Sequence, residues 1–310
     1  MLFRSVNFGS NDYLGYAGDV RLTRAASRAA CAEGFGAGAS PLVSGHATVH
    51  AALERALAGL TDTGDALLFP SGFAANAATV AALVGPGDLV ASDERNHASL
   101  IDGCRLSRAE VAVFRHRDVG DACRILAAAG PRRRLVVTDS LFSMDGTVAP
   151  LADLAEAARR HGAMLLVDEA HATGLFGTRG SGLVEETATA DGVHVRVGTL
   201  SKALGAAGGF VAGHPGLVEW LRHAARAWIF STAHPPAVAG AALRAVELLG
   251  EEPGRREALR ARAADFRERL RHDGLDIGPC AAQIVPVSVG APERAVALAA
   301  RLAEIGRAHV

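Results

Sequence analysis

Short apolar runs recur along the chain from residue 66 onward, and stretches with helical spacing of apolar residues separate them. Runs this short, bounded by turn residues, are typical of strands that are buried on both faces. In the segment after Pro150, by contrast, Leu151, Leu154 and Ala158 fall on one face of a helix. This alternation predicts an α/β fold with a central, mostly parallel sheet flanked by helices. The predicted strands cover residues 66–69, 89–92, 111–114, 135–138, 164–167, 195–199 and 209–212.

After the last of these runs the predicted helices become longer. One is expected over residues 236–249 and another around Leu259 and Phe266, followed by a strand over 283–289 and a helix over 292–305. This order of long helices, a strand and a further helix indicates the beginning of a smaller α+β domain that is cut short. We therefore predict an N-terminal segment (1–20), a large domain (21–245) and a partial C-terminal small domain (246–310).

The composition excludes several classes of protein. With 310 residues, of which 49% are hydrophobic, the chain can bury a large core. Its formal net charge of -1, with acids and bases interspersed, is unlike the basic surface of a nucleic-acid binder. No apolar run reaches the roughly 20 residues that a membrane helix needs, and residues 1–10 lack the features of a signal peptide. We expect a cytoplasmic protein with no nucleic-acid or membrane partner.

The cysteines are scattered along the chain and form no CxxC pair. Neither a metal site nor a disulfide framework is indicated, so we expect reduced cysteines packed as small apolar side chains. They are Cys31, Cys104, Cys123 and Cys280.

Polar residues with catalytic potential stand just past several predicted strands, where ligands bind in an α/β sheet. One is Lys202, in the run GTLSKALG at residues 198–205. A lone lysine is usually a solvated surface charge, but this one follows a buried strand among small and apolar residues. A desolvated lysine has a lowered pKa and forms a Schiff base with an aldehyde. Lys202 is therefore a candidate cofactor anchor.

A second signal is the pair of acids and the histidine that end the predicted strand over 164–167. An acid at this position could simply cap the following turn. The functional alternative is that Asp168 pairs with the ring nitrogen of pyridoxal phosphate (PLP) and keeps the ring protonated, so that it acts as an electron sink. His171 would then hydrogen-bond the phenolic oxygen of the ring.

Three weaker signals complete this candidate PLP site. The run FPSGFAAN (69–76) predicts a strand, a turn and a helix whose first N–H groups could hold a phosphate. His97 follows another strand and has a flat ring suited to stacking on a pyridine, although a histidine there is commonly structural. Ser143, in a polar loop over 139–146, is a candidate partner for a ring oxygen. No Walker A sequence is present, which disfavours a nucleotide site.

Several motifs between residues 7 and 305 follow one another in an order that resembles the α-oxoamine synthases, a family of PLP-dependent enzymes. The resemblance implies the aspartate-aminotransferase fold, PLP as cofactor, and a homodimer whose active sites are shared between subunits. The motifs are NDYLG (11–15), VSGH (43–46), SGFAAN (71–76), NHASLIDG (96–103), FSMDG (142–146), VDEAHATG (167–174) and GTLSKALG (198–205).

The same resemblance implies a role for each residue that matches a motif. Lys202 forms the Schiff base with the cofactor and also acts as the base that removes the α-proton. His97 stacks on the cofactor beside the substrate, and Asp168 pairs with the ring nitrogen. Asn11 contacts the substrate carboxylate. The remaining contacts to the ring and the phosphate come from Gly72, Phe73, Ser143, His171, Thr199 and Thr232, the last of them from the other subunit.

Within the family, three runs resemble most the branch that condenses L-alanine with a pimeloyl thioester in biotin synthesis. Its partners are an amino acid and an acyl thioester of CoA or of a carrier protein. Branches that use other amino acids and acyl groups remain open, as does a non-catalytic fragment. The runs are VSGHATVHAALE (43–54), IDGCRLSRAEV (101–111) and GTLSKALGAAGGFVAG (198–213).

The chain departs from the family at two places. Glu169 stands where the family commonly has a second aspartate, and the sequence stops at Val310, before a C-terminal region with an arginine that binds the substrate carboxylate. Residues 1–5 and 306–310 can each be back-translated into common sequencing-adaptor sequence. We therefore expect the natural protein to extend further at both ends, and this chain to expose apolar surface and to have weak or no synthase activity.

Overall fold

Seven strands form one sheet at the centre of the computed structural model, which describes residues 7–130 and 132–308. Their order across the sheet is β1-β7-β6-β5-β4-β2-β3, and only β7 runs antiparallel to its neighbours. Every predicted strand up to residue 213 is confirmed, and so is the mostly parallel sheet. The strands are β1 (Asp65–Phe69), β2 (Leu89–Asp93), β3 (Glu110–Phe114), β4 (Arg134–Asp139), β5 (Met164–Asp168), β6 (Val195–Thr199) and β7 (Gly209–Gly213).

Helices connect and cover the strands, with short turns of π-helix at Pro41–Gly45 and of 3-10 helix at Ala190–Gly192. Polar side chains cap several helix starts by accepting a hydrogen bond from an early N–H group, as Asp19 does for α1 and Ser71 for α3. The helices are α1 (Val20–Glu33), α2 (Thr48–Thr61), α3 (Gly72–Leu83), α4 (Ala98–Ser107), α5 (Val119–Ala127), α6 (Leu151–Arg160), α7 (Leu183–Glu186), α8 (Pro215–Ala224), α9 (Arg226–Ile229), α10 (Pro236–Glu251), α11 (Pro253–His272) and α12 (Pro292–Ala308).

The sheet separates two apolar clusters, one against each face. Because side chains alternate along a strand, Leu68 of β1 packs into one cluster while its neighbours Leu67 and Phe69 pack into the other. Helices α2, α5, α6 and α10 cover the first face, and α3, α4 and α8 cover the second. Burial on both faces explains why the strands are continuous apolar runs rather than alternating ones.

The predicted strand over residues 283–289 is wrong. The chain is irregular there, and the Ser288 N–H donates to the carbonyl oxygen of Asp276 in a neighbouring loop at 2.7 Å. Just before the segment, the Ala281 N–H donates to the Gly146 carbonyl oxygen at 3.1 Å. A strand requires a neighbour to share its hydrogen bonds. Within the part of the chain that the structure describes, β1 and β3 end the sheet and no strand lies beside this segment.

The C-terminal helices α11 and α12 carry part of the apolar surface that stays exposed. Phe266 of α11 is exposed, and so are Val296, Leu298 and Leu302 of α12. None of the helices in the described residues is both long and apolar enough to cross a membrane. Of the terminal residues singled out in the sequence, 1–5 and 309–310 lie outside the described residues.

Candidate active site

The carboxyl ends of neighbouring parallel strands bring polar residues together at one edge of the sheet. Asp168 ends β5, Asp139 ends β4 beside it in register, and Thr199 ends β6. All three side chains are buried. The loop that follows β6 carries Lys202 back over this edge, so the crevice expected at the strand ends contains both the acid and the lysine that the motifs predict.

Lys202 is the only lysine in the chain. Its Nζ lies 2.8 Å from His171 Nε2. Burial lowers the pKa of the Lys202 amine below its ordinary value, while the Asp168 and Asp139 carboxylates nearby act in the opposite direction. The balance leaves more of the amine neutral than for a surface lysine, and the neutral amine is the form that attacks an aldehyde.

His171 is held by both of its ring nitrogens. Burial, assisted by the neighbouring Lys202 and His97, lowers the pKa of His171 to about 3, so the imidazole is neutral at physiological pH. Its Nδ1 lies 2.7 Å from Tyr13 Oη, and the Tyr13 hydroxyl in turn lies 3.1 Å from Asn11 Oδ1. The N-terminal segment is thereby connected to the lysine through three successive hydrogen bonds.

Asn76 and a backbone N–H group orient the Asp168 carboxylate. Asn76 Nδ2 donates to Asp168 Oδ2 at 2.5 Å, and the Ala170 N–H donates to Oδ1 at 2.7 Å. Asn76 Nδ2 also lies 2.9 Å from Ser99 Oγ, which ties this network to the first turn of α4. Hydrogen bonds to an ionised carboxylate are among the stronger ones in proteins, so the position of Asp168 is well defined.

Asp139 is a second buried carboxylate beside Asp168. Burial and the neighbouring Asp168 charge raise the pKa of Asp139 well above its usual range. Its Oδ2 accepts a hydrogen bond from the backbone N–H of His97 at 2.8 Å, and its own N–H donates to Asn96 Oδ1 at 3.0 Å. Asp139 therefore fixes the backbone at the residue that caps α4 and carries the candidate stacking imidazole.

The start of α3 lies against the end of β6. The Ser71 hydroxyl accepts a hydrogen bond from the Ala74 N–H at 3.0 Å, which leaves the N–H groups of Gly72 and Phe73 without an acceptor inside the helix. A Cβ on Gly72 would lie 3.4 Å from Thr199 Cβ, so the threonine packs directly against the helix start. Free N–H groups at the positive end of a helix, next to hydroxyls, suit a phosphate.

The remaining predicted residues lie further from Lys202 or make no hydrogen bond to it. The exposed His97 ring packs edge-on against Phe73, with 6.4 Å between the centroids. Thr232 is exposed and lines a small cavity at the end of β1. Ser143 lies in the turn after β4, and no hydrogen bond of its hydroxyl occurs within residues 7–130 and 132–308. The roles of Ser143 and Thr232 stay predictions.

The donor set of the crevice fits PLP. It offers one lysine for the aldehyde carbon, a fixed carboxylate for the ring nitrogen and a helix start for the phosphate. Asn76, Asp139 and Tyr13 had not been singled out from the sequence, although each stands inside or beside a motif that had been. Gln283 Nε2 also donates to the His171 carbonyl at 2.9 Å, and no motif marks this residue.

The sequence profile described as "Aminotransferase class I and II" matches residues 4–310. The chain belongs to the aminotransferase class I and II family. Curated relatives include the 8-amino-7-oxononanoate synthase of an Anaeromyxobacter species, 54% identical over 98% of this chain and 76% of the relative. An enzyme of the same name from Anaeromyxobacter dehalogenans is 51% identical over 97% of this chain and 76% of the relative.

Solved structures of the family share the fold. A serine palmitoyltransferase from Sphingomonas wittichii superposes with a TM-score of 0.94 at 33% identity, over 97% of this chain and 76% of that one. The 8-amino-7-oxononanoate synthase from Francisella tularensis gives a TM-score of 0.83 at 25% identity, over 97% and 86%. The expected PLP-dependent transferase fold of aspartate-aminotransferase type is therefore confirmed.

Glu169, the residue that departs from the family pattern, is buried behind Asp168. Its Oε1 accepts a hydrogen bond from the Val184 N–H at 3.2 Å. A Cβ on Gly182 would lie 1.4 Å from Glu169 Oε2, so the larger acid is accommodated only because residue 182 is glycine. Burial raises the pKa of Glu169 to about 7, although Arg196 nearby partly offsets this.

The raised pKa of Glu169 predicts a pH-dependent contribution to stability. The pKa of Glu169 in the folded state lies above its ordinary value of 4.5. The stability that Glu169 contributes is therefore fully present below about pH 4.5 and is lost as the pH rises through 7. Urea unfolding of wild type and Glu169→Gln should show their difference in unfolding free energy changing by roughly 3 kcal/mol between about pH 4 and pH 8, to the disadvantage of wild type.

Glu257→Gln, which removes a carboxylate at an exposed position, is the matched control. Parallel stability curves for wild type and Glu169→Gln would contradict the raised pKa.

Proposed function

We propose that the chain is an 8-amino-7-oxononanoate synthase, which condenses L-alanine with a pimeloyl thioester in biotin synthesis and releases carbon dioxide. The observation that carries this proposal is the single lysine of the chain, held 2.8 Å from a neutral histidine in a crevice that also contains a fixed carboxylate. Relatives of that name at 51% to 54% identity support this reaction over others of the family.

When bound, PLP would withdraw electrons from the α-carbon of an amino acid joined to its aldehyde carbon. Lys202 would anchor the cofactor through its Nζ, and the same atom would take the proton from the α-carbon of L-alanine. The lowered pKa of Lys202 favours both tasks, because a neutral amine is needed to attack a carbonyl and to accept a proton.

The other residues hold and orient the cofactor. Asp168 pairs with the ring nitrogen and keeps a proton there, and the hydrogen bonds from Asn76 and the Ala170 N–H keep its carboxylate in place. His97 would cover one face of the ring. His171 and Ser143 would contact the phenolic oxygen.

The phosphate and the substrate are held by groups from several parts of the chain. The first N–H groups of α3, at Gly72 and Phe73, bind the phosphate together with the Thr199 hydroxyl. Asn11, from the segment 1–20, contacts the substrate carboxylate. The other site residues lie in the large domain proposed for 21–245, and 246–310 forms part of the small domain.

We also propose a homodimer in which Thr232 of each subunit reaches the phosphate site of the other. Thr232 is exposed, and so are Phe35, Val43 and Phe230, with exposed fractions of 79%, 78% and 69%. Large apolar side chains as exposed as these are typical of a surface that another protein covers. All four cysteines are unpaired, which favours the reducing cytoplasm as the compartment.

A second candidate is a serine palmitoyltransferase-like activity, because serine palmitoyltransferases are among the solved structures with the highest TM-scores. Glycine C-acetyltransferase and 5-aminolevulinate synthase activities, and a non-catalytic fragment, are further alternatives. A kinetic screen of alanine, glycine and serine against pimeloyl, acetyl, succinyl and palmitoyl thioesters separates them. We expect the alanine and pimeloyl pair to have the highest kcat/KM, by at least about tenfold. A preference for serine with palmitoyl thioester would refute the assignment, and no turnover of any pair would favour the non-catalytic fragment.

Borohydride reduction of the PLP-loaded protein should attach a pyridoxyl group to Lys202. Since the chain contains one lysine, the other candidate amine is the N-terminus, and peptide mapping by mass spectrometry distinguishes the two. Lys202→Arg, which keeps a positive charge but cannot form the bond, should remain unlabelled. Label at the N-terminus alone would rule out Lys202 as the anchor.

Asp168→Asn should slow removal of the α-proton while leaving the fold intact. A neutral amide does not hold a proton on the ring nitrogen, so exchange of the alanine α-proton with deuterated water should fall by at least about a hundredfold. Asp88→Asn is the matched control, because Asp88 is also buried but pairs with Arg133 before β2. Equal exchange rates in the two variants would argue against the role of Asp168.

A further inference from the structure

Tyr13 is a residue of this crevice to which the sequence assigns no role. It is one of only two tyrosines in the chain, and it reaches the site from the N-terminal segment. Its hydroxyl lies between His171 Nδ1 at 2.7 Å and Asn11 Oδ1 at 3.1 Å, and the Gln283 side chain lies beside it. Burial raises the pKa of Tyr13 to about 12, so the phenol keeps its proton at physiological pH.

The hydrogen-bond partners restrict where the protons lie. Asn11 Oδ1 can only accept, so the Tyr13 hydroxyl donates its hydrogen bond to Asn11 Oδ1 when Tyr13 Oη accepts from His171 Nδ1–H. A neutral imidazole carries one N–H, so in that arrangement Nε2 is a free acceptor. Nε2 is the atom that lies 2.8 Å from Lys202 Nζ, and it then accepts a hydrogen bond from the ammonium.

A second arrangement uses the same four residues. If the Tyr13 hydroxyl turns to donate to Nδ1, the imidazole must carry its proton on Nε2. His171 then donates to whatever lies at Nε2, either the neutral amine of Lys202 or, with PLP present, an oxygen of the ring. A hydroxyl can change from acceptor to donor by rotating about one bond, so the change requires no movement of the backbone.

We propose that Tyr13 is a positioning residue that sets the tautomer of His171 and thereby decides whether His171 accepts a hydrogen bond from Lys202 or donates one to it. This inference rests on the proposed role of Lys202 as the reactive amine. It gives the N-terminal segment a function in the chemistry of the site beyond contact with the substrate, since Asn11 and Tyr13 act on the lysine through His171.

Other charged groups also face this chain of hydrogen bonds. Asp168 on β5 and Asp139 on β4 favour the charged form of Lys202, and His97, at the start of α4, acts on His171. None of these three side chains hydrogen-bonds to the Tyr13 hydroxyl, so a substitution of Tyr13 leaves their bonds in place. The effect of such a substitution on Lys202 can therefore be assigned to His171.

The single lysine makes the test direct. In the full chain labelled with lysine carrying carbon-13 at Cε, and kept free of PLP, one signal reports the titration of Lys202. In wild type, Tyr13 holds the acceptor tautomer of His171, which stabilises the ammonium. Tyr13→Phe leaves Nδ1–H without an acceptor, favours the proton on Nε2, and should lower the midpoint for Lys202 by up to about one pH unit.

Two variants separate this role from a general structural one. Tyr16→Phe removes the other tyrosine hydroxyl, which bonds to Glu252 away from the crevice, and should leave the midpoint unchanged. In a His171→Gln background, Tyr13→Phe should cause no further shift, because its effect passes through the imidazole. An unchanged midpoint in Tyr13→Phe, or an equal shift without His171, would overturn the proposal.

This titration needs neither alanine nor an acyl thioester. A chain that shows the predicted shift but turns over no substrate pair would contradict the proposed synthase function and leave the role of Tyr13 standing. A chain that is active but shows no shift would contradict the role of Tyr13 alone.

Discussion

The contact between Lys202 Nζ and His171 Nε2 is the interaction around which the rest of the crevice is arranged. Partial burial removes hydration from this lysine, which favours its neutral form, while two buried carboxylates at the ends of neighbouring strands favour the charged one. His171 has no net charge to add to that balance, so it can tune the amine only through the direction of one hydrogen bond. That direction depends on Tyr13, a residue far away in sequence.

The sheet makes this balance between the neutral and charged forms of Lys202 possible because it is rigid and both of its faces are shielded from water. Parallel strands β4, β5 and β6 end at the same edge, which places Asp139, Asp168 and Thr199 side by side without any requirement on the loops between them. The antiparallel β7 brings Gly209 so close to Gly72 that a Cβ there would lie 2.5 Å from the Gly72 nitrogen. This close approach of two glycines sets the start of α3 against β6, where the proposed phosphate site lies.

Local pattern accounts for most of the fold. The runs that became β1 to β7 are apolar on both faces, and a chain with such runs can bury them only as inner strands between helices. The same reasoning failed for residues 283–289. Their apolar pattern predicts a strand, but no strand within the described residues lies beside them, and the Ser288 N–H bonds to a loop instead. Glu169 was identified from the sequence as a departure from the family, but its accommodation by Gly182 depends on a contact between distant residues.

The sequence by itself determined the strands, the parallel sheet, the motifs and the residues with reactive groups, because each depends on short-range periodicity or on the chemistry of a single side chain. Only the tertiary structure decided that Asn11, Tyr13 and His171 form a line of hydrogen bonds to the lysine, and that Asn76 holds Asp168. Hydrogen-bond partners are set by differences of a few tenths of an ångström in the distances between segments far apart in the chain, and no local pattern carries that information.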